Sequence, residues 1–177
     1  MSMMSRLLTA LIMAAGMLMM TGCESVDDDR IPNMPVNIVL SDAGTWNTYG
    51  VSGFGSSRRF ILAQSQREPS GFPYSQTSAT GFGGVLLISG MDPYTTTTDV
   101  PLAYDLACPV EMKASVRVEV EGELYNAVCP VCGSKYDVTM GGGAPLSGPA
   151  ATGEHKYGLC RYTCYPSGSG GYIITNR

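Results

Sequence analysis

Two cysteine-bearing segments have the residue types and spacing of a metal site. The first reads Cys129-Pro-Val-Cys132-Gly133, and its two thiolates, three positions apart, can bind one ion. The glycine after the second cysteine lets the backbone turn sharply with a positive φ. The second segment is the Cys-Pro pair at Cys108, which lies upstream beyond a strand-like hairpin. We therefore expect Cys108, Cys129 and Cys132 to converge at the tips of two loops and to act as metal ligands.

A thiolate metal site usually has four protein ligands, so a fourth residue is expected. The candidates are Glu111, just after the first Cys-Pro pair, and two later cysteines, Cys160 and Cys164. A lone loop carboxylate such as Glu111 is more often a surface group. The two later cysteines share one face of a predicted strand but lie about 13 Å apart, so they cannot bind one ion together. The only histidine, His155, falls in a different loop and is predicted to be a surface residue.

The sequence around these cysteines resembles the Rieske iron–sulfur family over most of the chain after Ile31. That family has a Cys-x-His loop, then Cys-Pro-x-His-Gly-Ser-x-(Phe/Tyr)-Asp, a glycine-rich segment and Gly-Pro-Ala. The matching positions in the second half of the pattern are Cys129, Pro130, Gly133, Ser134, Tyr136, Asp137, Gly148, Pro149 and Ala150. Both histidines of the family are absent, because Val110 and Cys132 occupy their places.

The resemblance implies an all-β fold, a Rieske-like antiparallel β-sandwich with a small cluster-binding subdomain of two hairpin loops. In that arrangement the Gly148-Pro149 loop closes over the site. The resemblance also implies a [2Fe–2S] cluster and a role in electron transfer. A Rieske cluster needs two cysteines on one iron and two histidines on the other, so the ligand set is altered here. We expect a branch of the family with a thiolate-rich site.

The residues alone leave open three alternatives for what this site contains. A thiolate-ligated iron–sulfur cluster would keep the electron-transfer role, whereas a zinc ion would be structural. In the third alternative no metal is bound and disulfides close the site, because disulfides persist in exported proteins. The rival function is then a non-redox surface lipoprotein that uses the fold as a structural or binding module. No nucleophile–base pair or acid–base carboxylate pair can be assigned, so no enzymatic activity is expected.

Residues 1–22 have the features of an export signal. One early charge, Arg6, precedes an apolar run that ends before Thr21-Gly22-Cys23. This segment resembles a bacterial lipoprotein signal, which implies a lipid on Cys23 and attachment to the outer membrane, on the periplasmic side or at the cell surface. An uncleaved membrane helix is the alternative, but the run is short for a full span. The acidic residues that follow resemble surface-export signals of some Bacteroidetes lipoproteins, or form a solvated tether over residues 23–35.

The remaining sequence, residues 36–177, is predicted to be one β-rich domain. The chain has 22 glycines, 11 prolines and a net charge of −4, which suits a turn-rich fold and argues against nucleic acid as a partner. A redox or surface partner is expected but not identified. The predicted strands are Val36–Leu40, Trp46–Val51, Arg59–Leu62, Gly83–Ile88, Leu102–Asp105, Val116–Glu121 and Leu124–Val128. The most apolar of them, Gly83–Ile88, should be central.

Overall fold

The computed structural model describes residues 25–176. Residues 1–24, with the predicted signal peptide and Cys23, and residue 177 lie outside this range. Within it, the chain is mostly β, with one α-helix and one short 3₁₀ helix, Pro149–Ala151. The other elements are β1 (Val26–Asp27), β2 (Val36–Asp42), α1 (Ala43–Tyr49), β3 (Ser57–Ala63), β4 (Gln66–Glu68), β5 (Ala79–Thr80), β6 (Val85–Ile88), β7 (Leu102–Asp105), β8 (Glu119–Glu121), β9 (Asn126–Val128), β10 (Lys135–Asp137), β11 (Ala144–Ser147), β12 (Lys156–Tyr157), β13 (Arg161–Pro166) and β14 (Gly170–Thr175). The predicted all-β class is confirmed.

The larger unit is an antiparallel sheet of eight strands in the order β4-β3-β6-β7-β13-β14-β2-β5. The sheet curls so that its two ends approach each other, and the Leu62 N–H of β3 donates to Thr80 Oγ1 of β5 (3.2 Å). Buried apolar side chains on the inner face form a cluster that we call the barrel core. Its members are Val36, Ile38, Leu40, Val51, Phe60, Phe72, Val85, Leu87, Ala103, Tyr162 and Ile174.

The smaller unit is an antiparallel sheet of four strands in the order β11-β10-β9-β8. Its buried side chains pack with the other face of β6 and β7 in a second cluster, which we call the cysteine core because two of its members are thiols. The members are Ile61, Leu86, Ile88, Leu102, Tyr104, Leu106, Cys108, Val118, Ala127, Cys129, Tyr136, Val138, Ala150 and Leu159.

Strand β6 separates the two cores. Leu86 and Ile88 belong to the cysteine core, whereas Val85 and Leu87 belong to the barrel core, since successive side chains of a strand point to opposite faces. All four are at most 1% exposed. The prediction that this apolar strand is central is confirmed.

The predicted hairpin before the second cysteine turn is present, but its strands are shorter than expected. The ladder covers β8 and β9, which turn at Gly122 with φ +74°. The predicted alternation still holds, because Val118 is buried in the cysteine core and Val116 and Val120 pack against it.

The predicted strand over Trp46–Val51 is wrong, because this part of the chain forms α1. The Asp42 carboxylate caps the helix by accepting from the N–H (2.9 Å) and Oγ1 (2.6 Å) of Thr45. The Gly50 N–H donates to Trp46 O at the other end (2.7 Å). The Trp46 ring packs on Tyr172, with centroids 4.7 Å apart. The cap and this tertiary contact override the β propensity of the aromatic residues.

The segment predicted as a tether, residues 23–35, is folded against the domain in its described part. Strand β1 pairs in parallel with β12, and the Arg30 guanidinium lies 3.8 Å from the centroid of the Tyr157 ring. Ile31 is 5% exposed. The acidic composition gave no sign of this pairing, because the partner strand lies near the other end of the chain. In residues 25–176, no helix is long and apolar enough to span a membrane.

Candidate metal centre

Cys108 lies in the loop between β7 and β8, which backbone hydrogen bonds close. The Cys108 N–H donates to Val116 O (3.0 Å), and its carbonyl accepts from the Met112 N–H (3.0 Å). A bridge between Ala107 and Arg117 joins the two sides of the loop. These bonds fix the backbone on both sides of the sulfur.

Cys129 and Cys132 lie on the turn between β9 and β10. The Cys129 N–H donates to Ser134 O (2.9 Å), and the Gly133 N–H donates to Cys129 O (3.0 Å). Gly133 has φ +70°, which residues with a Cβ rarely adopt. The sharp turn predicted from the Cys-x-x-Cys-Gly pattern is confirmed.

The three sulfur atoms of Cys108, Cys129 and Cys132 lie within 4.8 Å of one another. The prediction that Cys132 points into the same space as the other two is therefore confirmed. The Sγ atoms of Cys108 and Cys132 are 3.7 Å apart. A disulfide bond is about 2.05 Å long, whereas two thiolates on one tetrahedral zinc ion lie roughly 3.8 Å apart. The three cysteines could therefore hold a metal ion.

Two hydroxyl groups contact the sulfur atoms. The Tyr136 hydroxyl lies 3.4 Å from Cys108 Sγ, and the Cys132 thiol donates to Ser134 Oγ (3.2 Å). Tyr136 and Ser134 are both fully buried. Neither was predicted as a site residue, although both lie in the segment that resembles the Rieske family.

The Gly148-Pro149 loop packs on the second cysteine turn. Ser134 Oγ accepts from the Ala150 N–H (3.0 Å). A Cβ on Gly148 would lie 2.7 Å from the Ser134 Cα, and Gly148 has φ +81°. Only glycine therefore allows the loop to approach the turn this closely.

The environments of Cys108 and Cys132 differ. Burial raises the pKa of Cys108 to about 12. Burial acts in the same direction on Cys132, but hydrogen bonds with Ser134 and the neighbouring sulfurs outweigh it and hold this pKa below its ordinary value. Burial also raises the pKa of Tyr136, so its hydroxyl remains a proton donor. Of these two thiols, Cys132 therefore ionises more readily, and a nearby cation would favour the ionised form of Cys108.

The three predicted candidates for a fourth ligand do not join the sulfur group. Glu111 is half-buried, and its carboxylate is not among the ligand atoms within 4.8 Å of one another. Cys164 in β13 and Cys160, which directly precedes that strand, both pack against the barrel core instead. His155 is exposed, as predicted. Val110, which the resemblance places at the first histidine position of the Rieske pattern, packs against the cysteine core.

Asp105 was not predicted as important, yet it is fully buried beside the Cys108 loop. Its carboxylate accepts from the Phe82 N–H (2.9 Å), the Gly83 N–H (2.9 Å), the Ala107 N–H (2.7 Å) and the Tyr162 hydroxyl. Burial raises its pKa despite these bonds. The sequence feature that could have indicated its importance is the position of a charged residue directly after the apolar run 102–104. Asp105 joins the cysteine loop to the barrel strands.

No protein-family model matches the chain, and no significantly similar curated protein or solved structure was found. The family and the identity of a metal therefore depend on the residues and the geometry of the chain itself.

Proposed function

We propose that the protein is a lipid-anchored protein of Rieske-like fold whose thiolate-ligated iron centre carries electrons. The observation that supports this function is the convergence of the Cys108, Cys129 and Cys132 sulfurs within 4.8 Å. The Rieske-like fold is supported by two cysteine-bearing turns that meet on one small sheet, with the Gly148-Pro149 loop packed beside them. The apolar run before Cys23 supports the lipid anchor and the location in the outer membrane.

The chain supplies the ligands and their surroundings. Cys108 and Cys129 are 0% and 1% exposed, so they would bind iron from a site shielded from water. Cys132 is half-buried and is the ligand nearest to solvent. Thiolate-bound iron supplies one-electron transfer. A metal-bound thiolate has no proton and can only accept, so the Ser134 hydroxyl would then donate to Cys132 and the Tyr136 hydroxyl to Cys108. Both hydrogen bonds would raise the reduction potential of the iron.

The three sulfurs fit a single ion more directly than a two-iron cluster. They converge on one point, whereas a [2Fe–2S] cluster divides four ligands between two irons. Two cysteines on the same iron of a cluster could keep this separation of 3.7 Å. The Rieske resemblance, however, assigns Cys108 and Cys132 to different irons, so Cys132 would have to move away from Cys108 to hold a cluster. We therefore favour one iron bound by three cysteines and a fourth donor.

The 3.7 Å separation also favours a second candidate function. Two thiols at this distance can form a disulfide after a small movement, and exported proteins meet oxidising conditions. A Cys108–Cys132 disulfide would close the site and leave a non-redox surface lipoprotein that acts as a structural or binding module.

Metal analysis of the full mature protein, purified without oxygen, separates these functions. The electron-carrier proposal predicts coloured protein with iron bound and three reduced site cysteines. Colourless protein that contains zinc would replace the redox function with a structural one. Metal-free protein in which Cys132 is disulfide-linked would overturn the proposal in favour of the second candidate.

A further inference from the structure

The first described strand begins three residues after Cys23 in the sequence. Strand β1 starts at Val26, where Val26 pairs with Lys156, and the Gly158 N–H donates to Asp27 O (2.8 Å). An extended chain covers at most about 3.6 Å per residue, so the α-carbons of Cys23 and Val26 are at most about 11 Å apart. A lipid on Cys23 would therefore hold the surface around β1 at the membrane.

The segment after β1 leads to the first cysteine loop. The Arg30 guanidinium stacks on Tyr157 of β12, and its Nε lies 3.4 Å from Met112 Sδ. The Met112 N–H donates to Cys108 O (3.0 Å). Residues 26–30 thus connect β12 to the loop that carries Cys108. The anchored end of the chain lies on the cysteine-bearing part of the molecule.

The surface beside Val26 exposes apolar and aromatic side chains. Val26 and Tyr94 line a shallow cavity of about 140 Å³ together with the Gly141–Gly143 turn. Tyr94 is 82% exposed, and Met140, which precedes this turn, is 50% exposed. Tyrosine is favoured at membrane–water interfaces because its ring is apolar and its hydroxyl is polar.

The charged side chains around Val26 indicate which kind of phospholipid headgroup matches this protein surface. Asp28 lines this cavity, Lys156 pairs with Val26 in the neighbouring strand, and the Arg161 guanidinium lies 5.2 Å from the centroid of the Tyr94 ring. Both signs of charge therefore border the surface, and a zwitterionic phospholipid headgroup, which also carries both signs, is the matching partner.

We propose that the lipid on Cys23 docks the domain on a zwitterionic phospholipid surface through Val26, Tyr94 and Met140, instead of suspending it on a flexible tether. This inference depends on the lipid anchor of the proposed function but not on the metal. It places the Cys108 loop on the membrane side, within reach of a redox partner embedded in the same membrane.

The test measures the depth of a tryptophan in the lipidated full-length protein, reconstituted into phosphatidylcholine vesicles that contain a nitroxide headgroup lipid. The substitution Trp46→Phe removes the only native tryptophan. The probe is introduced by Tyr94→Trp, and the control by Tyr165→Trp. Tyr165 is also exposed (53%) but lies toward the hairpin end of β13. We expect several-fold stronger quenching at position 94 than at 165. Equal quenching at the two positions, or none at 94, would overturn the proposal.

A second variant changes only the length of the connection. An insertion of about fifteen flexible Gly/Ser residues between Ser25 and Val26 precedes β1 and therefore leaves the domain intact. Quenching at position 94 should fall to the level at 165, and unchanged quenching would overturn the role of the short connection. Mass spectrometry of the mature N-terminus distinguishes a failure of the lipid anchor from a failure of the docking proposal. Absence of a lipid on Cys23 refutes the anchor in the proposed function, whereas lipidated protein with equal quenching refutes only the docking.

Discussion

The barrel core and the cysteine core lie on opposite faces of β6, and each is stabilised by different structural features. The barrel has strands of up to seven residues, such as β2 and β3, and its core is mainly aliphatic and aromatic. The strands of the small sheet have three or four residues, and its geometry depends on turns with positive φ and on bonds to Ser134. Cys108 and Cys129 are themselves members of its buried core. In this part of the molecule, metal binding and folding should be coupled.

The cysteines of the two regions show what brings thiols together. Cys164 lies in strand β13 and Cys160 directly precedes the strand, four positions away, so the extended chain keeps the two side chains well separated. Cys129 and Cys132 are on a tight turn, and the Cys108 loop meets that turn from another strand pair. Turns, and not strand positions, bring together the three thiols that could hold a metal ion.

The largest expected effect distinguishes these two groups of thiols. Cys132→Ser should lower the metal-to-protein ratio by about tenfold or more, since it removes a ligand. The matched control is Cys164→Ser, because both residues are half-buried cysteines. It should retain metal, because Cys164 packs against the barrel core. Equal metal content in the two variants, measured after anaerobic purification, would contradict the separation of the two groups.

The next effect compares the two faces of β6. Leu86→Ala and Leu87→Ala each remove a buried side chain, so each should lower the free energy of unfolding by about 2–5 kcal/mol in urea denaturation. Only Leu86 packs in the cysteine core. We therefore expect a clear loss of metal affinity in Leu86→Ala and little change in Leu87→Ala. The same loss of affinity in both variants would show that the two cores are not separable.

A smaller effect concerns Asp105, which joins the two regions. Its pKa is raised by burial in the folded state, above about 3.9 in the unfolded chain. The folded protein then binds the proton more tightly, so this contribution to stability is present below about pH 4 and is lost as the pH rises through the folded pKa. The free energy of unfolding of the wild type, relative to Asp105→Asn, should decrease as the pH rises above about 4. Urea titrations from pH 4 to 8 measure it, and an increase would contradict the raised pKa.

The smallest effect compares two side chains that accept from backbone N–H groups. Ser134→Ala leaves the Ala150 N–H without its acceptor and should cost about 1 kcal/mol, together with weaker metal binding. Asp42→Ala removes the exposed cap of α1 in the barrel and should cost less stability, with metal binding unchanged. Thermal unfolding and a metal titration check both variants. If Asp42→Ala weakened metal binding as much as Ser134→Ala, the site would not depend specifically on its turn.

The sequence by itself determined the local features of the site. Cys-x-x-Cys-Gly specifies a tight turn, because a residue with a positive φ is most readily glycine. The alternation of Val116, Val118 and Val120 specified the buried face of the hairpin, since a strand has a period of two. Both signals depend only on residues near each other in the chain.

Tertiary structure determined which distant segments of the chain contact one another. The meeting of Cys108 with the Cys129 turn, the exclusion of Cys160 and Cys164, and the pairing of β1 with β12 all depend on strand order. Local patterns do not encode that order. The helix at Ala43–Tyr49 was missed for two reasons. Its packing on Tyr172 is a tertiary contact, and the local signal of the Asp42 cap was outweighed by the β propensity of the aromatic residues.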